Sequence, residues 1–413
     1  MRKVTVHEPI IIAQSTTAPI LFGGHQDPAI RINEKKEIFV RYHAHKDCHA
    51  EAHLANLDPV LCSKDGGVTW EQVDNAEWIK AGPKMANGDW YGMRGRPIIT
   101  DLPDPMPAPR EDRRCKIIAN TTTLYTAEEL APYFPDEDFA TIGAYRIKAG
   151  TDEVLEETDP VDPGDLPTTV AVFDNYVTRG GGSYYSHVYN VDKNGTAWMP
   201  VYGGMINADG TLGSDGYLGI RLLRSDDNGY HWKQVGVIPF KKDYVNPNAI
   251  DIEGFNESTL EILDDGTFFL VMRAGSLHPF EKGDPDHPAP QIFCTRSTDQ
   301  GKTWETPKPF YDYGILPCSV RLGCGTYVLV SGRPGVYIRT CDDPTAREWN
   351  DVIQILPVPE KDVYDAYYEY SCSNCGICAY DDHTAFITYS DFQRNAPDGK
   401  RAKSIIVRKI TVE

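Results

Sequence analysis

One pattern constrains this chain more than any other: Ser-x-Asp-x-Gly-x-x-Trp occurs three times, at 63–70, 225–232 and 297–304, each copy lying between two strand-like runs. In such a turn the Asp carboxylate accepts hydrogen bonds from backbone N–H groups and Gly takes a positive φ at no steric cost. Trp is large enough to bury against the neighbouring unit. Asp-Gly turns near a Trp arise by chance singly; three full matches predict a chain assembled from repeated hairpins. A degenerate fourth copy runs from Thr340-Cys341-Asp342-Asp343 to Trp349.

With 413 residues, 41% hydrophobic and 11% aromatic, the chain can bury the core of one large all-β domain or of two smaller ones. A formal charge of −19, from 60 acidic and 41 basic residues, argues against an extended nucleic-acid or anionic-membrane surface, while leaving room for a local arginine pocket. No run of about 18 apolar residues is present, so no membrane-spanning helix is expected. The opening Met1–His7 lacks the apolar core of a signal peptide, which predicts a cytoplasmic protein, or a secreted one if a leader has been removed. The ten cysteines are too sparse for a disulfide scaffold and mostly sit in apolar runs, so they read as reduced and buried. Cys372, Cys375 and Cys378 have a metal-like spacing, but strand alternation would turn the middle thiol away from the outer two and no fourth ligand is evident. No metal and no cofactor are expected.

The repeated pattern resembles the Asp-box of the sialidase (neuraminidase) superfamily. That resemblance covers most of the chain and implies a six-bladed β-propeller of four-stranded antiparallel blades, the boxes joining third and fourth strands, as a single domain over 1–413. Strand-like runs fill five blades: about 26–73, 184–232, 258–304, 319–349 and 377–412, the last completed by Val4–Ala13, whose pairing with Ser404–Val412 would close the ring. The second blade, near 94–157, is the least regular, with a Pro-rich stretch at 103–109, a short helix expected at Ala127–Leu130 and no box.

The resemblance also implies where chemistry lies. Sialidases hold a carboxylate with three arginines and use a Glu-activated Tyr nucleophile and an Asp acid/base. Glu257 followed by Leu263-Asp264-Asp265-Gly266 and Arg273 matches the family's Glu and arginine, and Arg333 in Ser331–Gly335 resembles another triad arginine. The remaining arginine is replaced by His25-Gln26-Asp27, and Asn374 or Cys375 stands where the family places Tyr. The acid/base loop corresponds to 43–53, with Asp47 as the candidate proton-transfer residue and His45 and Glu51 as rivals; a carboxyl raised in pKa by burial can protonate a leaving oxygen. His45, His49 and His53 would share one face of a helix, but a polar loop lining a sugar pocket is the plainer reading. Arg94, Tyr185 and His187 are further binding candidates, and Trp90, Tyr91 and Phe255 are possible sugar-stacking rings set against ordinary packing.

Together these features predict a glycan or small-carbohydrate partner and an exo-acting glycoside hydrolase with a non-standard catalytic set, on an anionic or hydroxyl-rich terminal sugar. A lyase acting on uronic-acid glycans and a non-catalytic carbohydrate-binding propeller are the rivals. Release of reducing sugar, of an unsaturated product, or of neither separates the three.

Overall fold

The structure, a computed structural model, describes residues 2–15, 26–44, 58–94, 99–117, 120–178, 183–184, 189–245, 252–276, 291–333, 335–357 and 370–413. They form six β-sheets divided between two compact units of three sheets each. Residues 1–82 and 312–413 make up most of the first unit, and 83–278 and 283–311 the second. No described helix is long and apolar enough to cross a membrane.

In the first unit, Ala29–Ile32, Ile38–Arg41, Val60–Ser63 and Glu71–Val73 form one antiparallel four-stranded sheet, and Ile315–Arg321, Tyr327–Gly332, Val336–Cys341 and Ile353–Leu356 form another. The third consists of Cys375–Ala379, Thr384–Asn395 and Arg401–Val412, with Val4–Val6 and Ile10–Gln14 both paired to the last strand. The expected pairing of N- and C-terminal strands is therefore present, from Val4 opposite Val412 to Gln14 opposite Ser404. Val328, Val330, Ile338, Ile387, Ile406 and Ile410, all buried, form one apolar core in this unit.

In the second unit, Ile252–Ile262, Phe268–Ser276, Gln291–Ser297 and Lys308–Tyr311 make a four-stranded sheet as the hairpin signal at Asp264-Asp265-Gly266 predicts. The expectation of separate second and third blades needs correction. Trp90–Arg94, Thr141–Ile147 and Val154–Asp162 join the third-blade strands in one eight-stranded sheet, through a parallel step that sets Val161 and Asp162 against Trp232 and Lys233. Arg114–Ile117, Asn120–Thr126 and Thr169–Val172 form a separate three-stranded sheet. The helix Ala127–Leu130 is present, started by a capping box between Thr126 and Glu129.

The box turns explain their own sequence. At Ser297–Trp304 the Ser297 hydroxyl donates to Asp299 (2.7 Å) and accepts from Gly301 N (2.8 Å), Asp299 accepts from Thr303 N (2.9 Å), and Trp304 Nε1 donates back to the Gly301 carbonyl (2.9 Å). The turn at Ser63–Trp70 repeats every one of these bonds, and in the degenerate copy Asp343 accepts from Arg347 N while Trp349 Nε1 donates to Ala346 O. Hydrogen bonds from Thr303 hold the Asp299 carboxyl down at about 2.

The remaining copy is anchored from outside. Arg146, fully buried, lies 3.8 Å from the Tyr230 ring centroid, donates to the Asn228 carbonyl (2.8 Å), and pairs with Glu157 (2.8 Å) and Asp159 (3.4 Å). The Tyr91 hydroxyl donates to the other Asp159 oxygen at 3.1 Å. Burial pushes the Asp159 carboxyl up to about 6 against the pull of Arg146 and of the Tyr91 hydroxyl. This cluster ties the second box to the strands that the second blade contributes, a physical reason for their merger into one sheet.

Candidate functional site

Each unit gathers polar side chains of its own. In the second unit the long strand Ile252–Ile262 carries a β-bulge: Phe255 lies opposite Ala274 and Ser258 opposite Met272, so Asn256 and Glu257 together face the single residue Arg273. Such an extra residue re-aims side chains, and bulges recur beside active sites. Here it sets Glu257 Oε1 3.2 Å from Arg273 Nη1, with Glu257 18% and Arg273 7% exposed. Glu253, 3% exposed, joins them: its Oε2 accepts from Asn256 Nδ2 at 3.1 Å. Burial alone would lower the pKa of the Arg273 guanidinium, but the charges of Glu257 and Glu253 outweigh it and raise it above the ordinary value.

The backbone at Glu253 is fixed from outside the sheet. Leu218 N donates to Glu253 O and accepts Phe255 N on its own carbonyl, at 2.7 and 2.9 Å. Gly254 between them has φ +102°, and a Cβ there would fall 2.4 Å from Leu218 O, so only glycine fits. The site thus offers two carboxylates within five residues and a guanidinium that orients one of them. That is the side-chain chemistry for proton transfer or nucleophilic attack at a sugar's anomeric centre.

In the first unit the constellation centres on Asp27 and Asn374. Asn374 Nδ2 donates to Asp27 Oδ1. His43 stands between two carboxylates, with Nδ1 2.6 Å from Asp58 Oδ2 and Nε2 3.6 Å from Asp27 Oδ2, while Arg41 Nη2 reaches Asp58 at 3.3 Å. Burial lowers the His43 pKa, but the hydrogen bond to Asp58 and the charges of Asp27 and Asp58 outweigh it and hold the imidazole above its usual value. Gln26, fully buried, accepts His43 N on its backbone carbonyl at 2.7 Å. Arg333 follows Gly332, whose backbone passes so close to Ser373 that a Cβ would fall 1.5 Å from the Ser373 carbonyl. Arg333 thereby sits one residue from the segment that carries Asn374.

Six of the residues expected from sequence therefore fall into two groups: Glu257 with Arg273, and Gln26, Asp27 and Asn374 with Arg333 close by. Arg94 ends its strand opposite Gly143. His25, His45, Asp47, Tyr185 and His187 lie outside the described residues, as do His49, Glu51 and His53. Tyr91 and Phe255 are fully buried and packed against other rings, which corrects the suggestion that they stack on a sugar. The Cys372, Cys375 and Cys378 thiols meet Ser390 Oγ, Leu316 O and Phe386 O respectively. Each has its own neighbour, and among the described residues no three His, Cys, Asp or Glu side chains are grouped to hold a metal.

Sequence reasoning missed Glu253 and His43. Glu253 carries a signal, a second carboxylate four residues before Glu257 with a glycine between. His43 was findable from strand register: Arg41 pairs with Val60, so two residues further along the hairpin His43 comes opposite Asp58.

No family model matches the chain, and no curated protein matches it. Among solved structures it is similar to a protein of unknown function from Dyadobacter fermentans, at 17% identity and a TM-score of 0.60 over 99% of both chains. It is also similar to the α-L-arabinanase of Penicillium chrysogenum, seen with arabinobiose (13% identity, TM-score 0.48, 98% of both chains). The NanB sialidase of Streptococcus pneumoniae is similar at 12% identity and a TM-score of 0.48, over 98% of this chain and 70% of that one.

Proposed function

We propose that this chain is a glycoside hydrolase acting on a terminal sugar, and that its sheets belong to one closed, six-bladed propeller domain spanning 1–413, the eight-stranded sheet supplying the second and third blades. The observation that carries the activity is the bulge that brings Glu257 onto Arg273 with Glu253 alongside: a pair of carboxylates and a cation, buried in a sheet whose neighbouring turn carries an Asp-box. Glu257, the more exposed carboxylate, acts at the reacting centre, and Arg273 orients it. Asp47, with His45 and Glu51 as its rivals, keeps the proton-transfer role that the family resemblance of the 43–53 loop implies, and Arg333 is proposed to bind the sugar. Four box turns, full or degenerate, joining successive strands support the propeller reading.

Purified protein incubated with a panel of oligosaccharides and aryl glycosides tests this, with reducing-sugar release and ultraviolet absorbance followed together. Release of reducing sugar that falls about 10²–10⁴-fold in Glu257→Gln is the expected result, the usual contribution of a positioned acid or base. An absorbing unsaturated product would make the chain a lyase instead. Binding without either product would make it a carbohydrate-binding propeller.

A further inference from the structure

We infer that Asp27 is a hydroxyl-binding carboxylate, held in place by Asn374 and by the Asp58–His43 pair, and that the sugar taken by the chain is neutral and hydroxyl-rich rather than anionic. The inference rests on the carbohydrate reading above and narrows it to a substrate class.

Accessibility separates the two carboxylates around His43. The Asp58 side chain is 1% exposed and is committed to His43 and Arg41; that of Asp27 is 28% exposed and can be reached by a ligand. Among the described residues, each Asp27 oxygen has one neighbour, Asn374 at Oδ1 and His43 at Oδ2. A carboxylate oxygen has two lone-pair directions, so both oxygens keep capacity to accept a sugar O–H. A vicinal diol can donate to both at once. A ligand carboxylate in the same place would meet like charge, with no proton to offer at neutral pH.

The charges around Asp27 agree. Asp27 and Asp58 carry two negative charges; Arg41 and a protonated His43 carry two positive ones. The set is neutral with His43 charged and has one net negative charge with His43 neutral. Neither state attracts an anion. Arg333, one residue beyond the close approach of Gly332 to Ser373, is the cation that would argue the other way, and the experiment below includes it.

A second observation marks this place as built for a ligand. Four residues other than glycine adopt left-handed backbone conformations here: Asp27 (φ 39°), Leu316 (43°), Arg333 (52°) and Ser373 (65°). Ser373 lies in the segment Ser373–Cys375, Asp27 and Leu316 contact it, and Arg333 follows a residue that does. Asp27 accepts from Asn374, Cys375 Sγ donates to the Leu316 carbonyl, and Gly332, next to Arg333, packs on Ser373. Such conformations persist only where the surroundings over-determine them, and they gather at binding and active sites. The Ser373 hydroxyl, on a side chain 1% exposed, is buried with no partner among the described residues.

His43 acts here as a positioning residue, since it reaches a ligand through Asp27. Among the described residues, the charged groups that face it are Asp58, Asp27 and Arg41.

The test is calorimetric titration of the full chain with the methyl glycosides of a neutral pentose, a neutral hexose, the corresponding hexuronic acid and sialic acid, at pH 5.5 and 8.5. A neutral glycoside should bind about tenfold or more tightly than its uronide, and Asp27→Asn should weaken that binding about tenfold while shrinking the discrimination, the size expected for hydrogen bonds to a charged acceptor. His43→Gln should lose less affinity and flatten the pH dependence, and Arg333→Lys should leave the neutral preference intact. Melting curves show whether each variant is folded, and His43→Gln serves if Asp27→Asn is not. Tighter binding of the uronide or sialoside overturns the inference, as do unchanged affinities in folded Asp27→Asn or a failure of every glycoside to bind. Neutral binding without turnover would end the hydrolase reading and support this one; turnover of a sialoside or uronide would do the reverse.

Discussion

Replacing Asp159 by Asn should convert a pH-dependent weakness into a pH-independent one. Asp159 is 3% exposed, and burial lifts its carboxyl from 3.8 to about 6 even with Arg146 and Tyr91 beside it. A group whose acid form is favoured by folding binds more protons in the folded chain than in the unfolded one between those two values. Stability from this site is therefore highest below 3.8 and declines as pH rises towards 6. At about 1.36 kcal/mol per tenfold change in proton affinity, the full decline is about 3 kcal/mol. Roughly 2.5 kcal/mol of it falls between pH 4 and 7.5, because at pH 4 the unfolded carboxyl is already more than half ionised. Asn accepts the Tyr91 hydroxyl as Asp does but cannot ionise, and the attraction of Arg146 for the ionised carboxylate is already contained in the folded value of about 6. The assay is urea unfolding of wild type and Asp159→Asn at pH 4 and 7.5. Relative to wild type, the variant should gain about 2.5 kcal/mol on going to the higher pH. A difference independent of pH, or one growing towards acid, would refute the reasoning.

Gly254→Ala should cost about 3 kcal/mol, because an alanine there combines a disfavoured φ with a clash against the Leu218 backbone that fixes Glu253; urea unfolding measures it, and turnover should fall as well. Arg273→Lys keeps the charge but loses the planar fork that orients Glu257, so turnover should fall, and because the pair is buried, urea unfolding should show a loss of about 1–3 kcal/mol as well. Deleting residues 2–6 removes three paired residues and the half-buried Val4 and Val6, which pack on the core of the first unit. A loss of about 2 kcal/mol in a denaturant melt is expected, well above that of an ordinary terminal trim.

What could be read from the chain follows the range of the interactions. The box turns were legible because the bonds that define them close within a few residues, as between Ser297 and Gly301, Asp299 and Thr303, or Asp65 and Thr69. Glu257 and Arg273 were legible for a related reason: they sit on the two arms of one hairpin, where spacing determines partnership. The contact of Asn374 with Asp27, 347 positions apart, depends on how two sheets of the first unit pack, and no local pattern encodes it. Both residues were nevertheless singled out, from their placement in the resembling family. The merger of the second and third blades was hidden because it rests on only two parallel pairs and on Arg146, whose partners Asn228 and Tyr230 lie more than eighty positions away.

The side-by-side chain ends have a mechanical consequence. Lys3 and Glu413 exchange backbone hydrogen bonds at 2.9 Å, and the ladder continues through Val4–Val412, Thr5–Thr411 and Val6–Ile410. Because these strands run antiparallel with both ends at the same edge, a force applied between the termini acts on one pair at a time. It opens the ladder like a zipper and never loads a whole strand in shear. Held by its two ends, the chain should therefore yield first at low force, by peeling of the N-terminal strand from Arg401–Val412. Each residue released adds about 3.3–3.6 Å of extended chain before the remaining sheets take up the load.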